Sequence, residues 1–252
     1  MENKLRIIAA CPPEYVSSAS AKKLAIAHMC YRVCRDGRLY MAEGAEPKGG
    51  IMAVDFSEQF QKPAIPYLSE AIIRECLRRS FSGVFLDAPK FSAPDNRAAA
   101  LAITEKASSI GITVYISSHS YSKSRGLKAV IGTAVSGGTF AGYLSSAVQK
   151  YGAENLAIEA DLIMSDFILP DRSGKGKSLT KDEFKTLYSG YGKNSFFSKE
   201  LMAYYFTYHA NGKTHFVLYE TSQSIRAKLS AANKMGISTA FLYYPDFNGT
   251  VF

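Results

Sequence analysis

The chemistry this sequence offers rests on carboxylates that follow short apolar runs. Asp87 ends Gly83-Val-Phe-Leu, a run with no other charge. A carboxylate in that place either acts on a ligand or binds loop backbone, and the first role is preferred. Asp166 closes a similar run, Asp55 ends Met-Ala-Val, and Glu220 and Asp246 also follow apolar stretches. Two facing carboxylates can cleave a glycosidic bond, one as acid and the other as nucleophile or base. The catalytic candidates are Asp87 and Asp166. Asp55, with the alternative role of capping its own loop, His119 in Ser-Ser-His-Ser-Tyr, and Glu220 are binding candidates. For His119 a backbone contact in its loop is an equal alternative. Glu220 has the alternative of an exposed helix start, where its charge suits the helix dipole.

Other chemistries lack their spacing. Cys30 and Cys34 stand four apart, but no second pair follows at metal-ligand spacing, so buried free thiols are expected. Gly-x-Ser-x-Gly is absent. Gly176-Lys-Ser178 copies the end of a phosphate loop, yet Asp171 occupies the place of its first glycine. Gly137-Gly138 and Gly142 miss dinucleotide-loop spacing. No metal or cofactor is expected.

Strands must position these carboxylates. Nine candidates are legible: 5–10, 24–31, 50–55, 83–87, 113–117, 129–135, 162–167, 215–219 and 239–244. Helical spacing marks 69–79, 96–109 and 223–235, with Gly111 and Gly236 as stop signals after the last two. Thr180-Lys-Asp-Glu183 is a capping box. Asn211-Gly212 is a hairpin turn, and His209 and His215 flanking it are read as structural. Strands alternating with helices over 252 residues predict a single (β/α)₈ TIM barrel, one domain over 1–252, with a small insertion around 171–200. Nine candidates for eight places put at least one outside the barrel. Functional groups then belong at the C-terminal strand ends.

A net charge of +8 favours anionic partners, but the basic residues are scattered, and plain solubility is the preferred explanation. Neither nucleic acid nor membrane is expected as a partner. The first apolar stretch, Ile7 to Cys11, is too short for a secretion signal or a membrane span, so a cytoplasmic or spore-associated location is expected.

Three stretches resemble the family-18 glycoside hydrolases, especially their bacterial spore and cell-wall members. KLAIAHMCYRVCRDGRLY (23–40) resembles the second barrel strand, with His28 as a packing residue. RSFSGVFLDAP (79–89) resembles the fourth strand and its D-G-x-D-x-D-x-E motif. The stretch 204–246, with Tyr219-Glu-Thr221, Ser224-Ile225 and Lys228, resembles the last two strands. Met164-Ser-Asp166 approximates the family's strand-six M-x-Y-D. Within the catalytic motif Ser82 and Phe85 replace the first two Asp, Asp87 keeps the third, and Pro89 replaces the Glu that serves as general acid.

The resemblance implies an amino-sugar polymer or oligosaccharide as partner. It adds Tyr219 to the binding set, and Tyr243 or Tyr244 as a stacking floor where the family has Trp. It also implies that chitinase-type activity is lost. Two alternatives stand beside it. One is an active glycosidase pairing Asp87 with Asp166 or Asp55. The other is a spore- or wall-layer interaction protein using Tyr188, Tyr191, Lys193, Phe196 and Phe197; for that patch a hairpin packed on the barrel rim is the preferred explanation.

Overall fold

The computed structural model describes residues 4–58, 64–88, 94–135, 137–170, 174 and 176–247. The strands are β1 (Arg6–Cys11), β2 (Ala25–Val33), β3 (Leu39–Met41), β4 (Ile51–Asp55), β5 (Gly83–Asp87), β6 (Thr113–Ser117), β7 (Leu127–Gly132), β8 (Leu156–Ala160), β9 (Met164–Leu169), β10 (Lys177–Ser178), β11 (Phe196–Ser198), β12 (Ala203–Ala210), β13 (Lys213–Tyr219) and β14 (Thr239–Tyr243). The helices are α1 (Val16–Ala21), α2 (Ile65–Arg79), α3 (Pro94–Ser108), α4 (Phe140–Tyr151), α5 (Lys181–Tyr191), α6 (Ser222–Lys234) and α7 (Tyr244–Phe247).

Eight parallel strands close a ring in the order β1, β2, β4, β5, β6, β7, β8, β14 and back to β1. This is the expected (β/α)₈ barrel. β3 adds an antiparallel edge to β2. A second, antiparallel sheet, β10-β9-β13-β12-β11, is inserted between the seventh and eighth barrel strands. The insertion is therefore larger than 171–200.

Two of the nine strand candidates lie in this second sheet. They are 162–167, which supplies β9, and 215–219, which supplies β13, and the two pair with each other. The seventh barrel strand is β8, which the strand pattern did not single out. The sixth is β7, so Met164–Asp166 does not occupy the strand-six place that its motif suggested. Likewise only β14 of the stretch 204–246 is a barrel strand.

Side chains alternate across a strand, so every second residue points into the barrel. Ile8, Ala27, Ile51, Ala53, Tyr115, Val130, Ala157 and Phe241 fill the interior. Four of these and the neighbouring Ala10 and Ala25 are small or short, and the space they leave takes three rings. Phe241 lies 4.8 Å from Phe85 and 5.0 Å from Tyr115 between ring centroids. Large against small is how a barrel centre reaches close packing. Outside the ring, α2 and α3 cover one half through Leu68, Ile72, Cys76 and Ile103. The other half lies under α4 and α6 through Phe140, Leu144, Ile225 and Leu229.

Local signals explain several boundaries. Thr180 and Glu183 close the capping box of α5 on each other's backbone. At Asn211-Gly212 both φ angles are positive, 51° and 70°, as a two-residue hairpin turn requires. The outward-facing His28 is buried and packs on Phe81, with ring centroids 5.8 Å apart, which makes it a packing residue.

Candidate functional site at the barrel mouth

The same alternation that fills the barrel determines what stands at its mouth. Continuing Ile51–Ala53 brings Asp55 inward, Gly83–Phe85 brings Asp87, Ala157 brings Glu159, and Phe241 brings Tyr243. Asp55 and Asp87 are register partners on adjacent parallel strands. Above the aromatic floor of Phe85, Tyr115 and Phe241 there is therefore a ring of three carboxylates and one tyrosine.

The carboxylates crowd one another. Burial, and then the charge of Asp55, push the Asp87 carboxyl above its usual range. Burial, then Asp161, then Asp87 push Glu159 up to about 7. Both side chains keep surface open to solvent while the barrel wall closes round the rest. Asp161 sits just beyond β8. Its backbone N–H donates to the Thr133 hydroxyl at 3.0 Å. A Cβ on Gly132 would lie 2.9 Å from its carboxylate oxygen, so the glycine makes room for it. Burial raises the Asp161 pKa as well, with the Lys228 ammonium opposing. Asp55 accepts a hydrogen bond from Ser57 N–H at 2.7 Å, which caps its loop. Among the described residues none of Asp55, Asp87, Glu159 and Asp161 lies in an ion pair. Asp246, on α7 at the rim, is held by Lys181 at 3.2 Å.

Of the residues expected from sequence, the mouth unites Asp55, Asp87 and Tyr243, with exposed His119 in the loop after β6. Tyr243 is 41% exposed, and its hydroxyl pKa is raised by burial and by Asp246. Its neighbour Tyr244 points the other way. That ring is fully buried, and its hydroxyl shares a 2.8 Å hydrogen bond with Ser18. It is a core residue, not a stacking floor.

Three further candidates stand elsewhere. Asp166 is on β9, outside the barrel ring. Its carboxylate accepts from the Tyr208 hydroxyl at 2.8 Å and meets His215 Nδ1 at 2.9 Å. This departs from the expected barrel strand end. Tyr219 is buried against Phe184, Tyr188, Tyr204 and Phe206. Glu220 is buried in a pair with Lys228, accepts from the Ser224 hydroxyl, and has no open face. Lys228 also donates to the Thr133 carbonyl at 2.8 Å. In the aromatic patch, Phe196 is exposed, while Tyr191 stacks on Tyr208 at 4.8 Å. Pro89 lies outside the described residues.

Glu159 and Asp161 escaped the sequence reading. The signal was present: in Leu156-Ala-Ile-Glu-Ala-Asp161 a period of two places Ala157, Glu159 and Asp161 on one face. Beside the mouth a cavity of about 490 Å³ opens between β2, the turn after β3, and the ends of β4 and β5. Among the described residues no group of three His, Cys, Asp or Glu side chains is placed to hold a metal ion. Among them, too, no helix is long and apolar enough to cross a membrane.

No family model and no curated protein matches the chain. Solved structures do. The Bacillus cereus spore cortex-lytic enzyme SleL superposes with a TM-score of 0.68 at 16% identity, over 96% of this chain and 71% of its own. A chitinase from Chromobacterium violaceum gives 0.67 at 15% identity, over 95% and 93%. A family-18 N-acetylglucosaminidase from Paenibacillus barengoltzii gives 0.66 at 13% identity, over 95% of each chain. The second sheet inserted before the last barrel strand and the acid-lined mouth thus sit on the (β/α)₈ fold that these chitinases and spore-lytic enzymes share.

Proposed function

We propose that the protein binds an amino-sugar polymer or oligosaccharide across the barrel mouth. The observation that carries this is Asp87, beside Asp55 and opposite an exposed Tyr243, over a floor of three rings in a barrel of this fold. Carboxylates accept hydrogen bonds from sugar hydroxyls, and the tyrosine ring offers an apolar face to a pyranose. The structures similar to it include a chitinase and an N-acetylglucosaminidase, which supports the choice of amino sugar. Chitinase-type catalysis is not expected of it, because Pro89 stands in sequence where that family has its acid and has no proton to give.

The test is titration of chitin and peptidoglycan fragments into the wild type and Asp87→Ala. Saturable binding that the substitution weakens supports the proposal. Absence of binding to both proteins removes it.

A second reading, hydrolysis by a rearranged carboxylate pair, is favoured by one feature. Glu159 holds its proton to about pH 7, next to a carboxylate it senses electrostatically. That is the poise of a general acid. The pair is then Asp87 with Glu159, in place of the pairing of Asp87 with Asp166 or Asp55 that the sequence suggested; Asp166 lies on β9 outside the ring, while Asp55 stays beside Asp87. A panel of chromogenic glycosides decides it. Turnover lost in Glu159→Gln supports the pair, and inactivity of the wild type over a broad panel excludes it.

A further inference from the structure

The chain carries a net charge of +8, yet the cavity beside the mouth runs against that field. Asp55 and Asp87 line it from paired positions on neighbouring strands, and Glu43 and the ring of Tyr40 also line it. The cation at its edge, Arg32, is turned onto Tyr40, with its guanidinium 4.7 Å from the ring centroid. Among the described residues it forms no ion pair with either aspartate. Two neighbouring carboxylates thus share an open cavity with an aromatic wall, and among the described residues neither is held in an ion pair.

We propose that this cavity receives the free amino group of an unacetylated amino sugar, as an ammonium between Asp55 and Asp87 with the pyranose ring against Tyr40. The ligand is then a glucosamine-type polymer in place of a fully N-acetylated one. An ammonium gives charge-assisted hydrogen bonds to both carboxylates and relieves their repulsion. An acetamido group is neutral. It would strip water from two carboxylates and return at most one hydrogen bond. The preference is therefore an electrostatic one, expressed at two residues.

This inference rests on the amino-sugar reading, and the experiment separates the two. Glucosamine tetramer and N-acetylglucosamine tetramer are titrated calorimetrically into the full chain, into Asp55→Asn and into Asp87→Asn. Both substitutions keep side-chain size, and melting curves confirm the fold. The expected result is about tenfold tighter binding of the free-amine tetramer by the wild type, equivalent to ~1.4 kcal/mol, with the preference largely lost in either variant. Equal or tighter binding of the N-acetylated tetramer overturns the inference and leaves the amino-sugar reading standing. A preference unchanged in both variants also overturns it. Tetralysine binding as tightly as the sugar overturns it in a different way, because charge alone is then recognised. Failure of both tetramers to bind removes the amino-sugar reading itself.

Discussion

Asp87 and Glu159 point into the same barrel mouth from strands separated by β6 and β7, and the charge on Asp87 is one reason Glu159 keeps its proton to about pH 7. The pair is produced by ring closure, since neither residue lies near the other in the chain.

The first prediction concerns stability against pH. The Glu159 pKa in the folded protein stands above its ordinary value of 4.5, at about 7. Between those values the unfolded chain has lost this proton and the folded one has kept it. Stability therefore falls as pH rises through that window and is not recovered above it. Glu159→Gln stays neutral throughout. Its melting temperature relative to wild type should rise by a few °C between about pH 4 and about pH 8. Thermal melts at both pH values read this, and a constant difference contradicts it.

Burial predicts a structural role for Glu220 and Lys228, both without exposed side-chain surface. Lys228→Ala leaves a buried carboxylate with the Ser224 hydroxyl as its remaining side-chain partner, and should cost about 3–5 kcal/mol. The double change Glu220→Leu with Lys228→Met removes both charges and should recover most of that loss. Denaturant titration of the three proteins measures the difference. A double variant as unstable as the single one argues against the charge explanation.

Tyr243, at the end of the last barrel strand, and Tyr244, at the start of α7, should separate function from packing. Tyr243→Ala should weaken sugar binding about tenfold, near 1.4 kcal/mol, while stability shifts by no more than about 0.5 kcal/mol. Tyr244→Ala opens a void beside Ala9, Cys11 and Ile26 and should cost about 3–5 kcal/mol. Calorimetric binding and unfolding curves on both variants test the pair, and a reversal of the two profiles would place the binding face wrongly.

Asp166 gives the converse case. Asp166→Asn removes the acceptor charge held against His215 and Tyr208, with an expected loss of about 1–3 kcal/mol in stability. Binding and any turnover at the mouth should be unchanged. A loss of ligand affinity in a variant of normal fold would return Asp166 to the site.

Much of the chain could be read from local pattern. Apolar runs gave six barrel strands to within a few residues, and a seventh, 129–135 for β7, displaced by two to three. Thr180 and Glu183 marked the start of α5, Asn211-Gly212 marked the β12–β13 turn, and Asp87 stood out as the sole charge after its strand. Each of these rests on forces acting within a few residues: side-chain alternation, a cap, a permitted φ. Which strands join which ring is decided differently. The segments at 162–167 and 215–219 have the same β-rich pattern as barrel strands, and only their pairing with each other placed them in the second sheet. Partner choice is a long-range contest for hydrogen bonds and buried area, and a single strand's composition carries no record of it. That contest moved Asp166 off the mouth, buried Glu220 against Lys228, and brought Glu159 to Asp87. The sequence alone determined that a barrel would form with an acid at the end of its fourth strand. Closure of the ring decided which other acids that strand end meets.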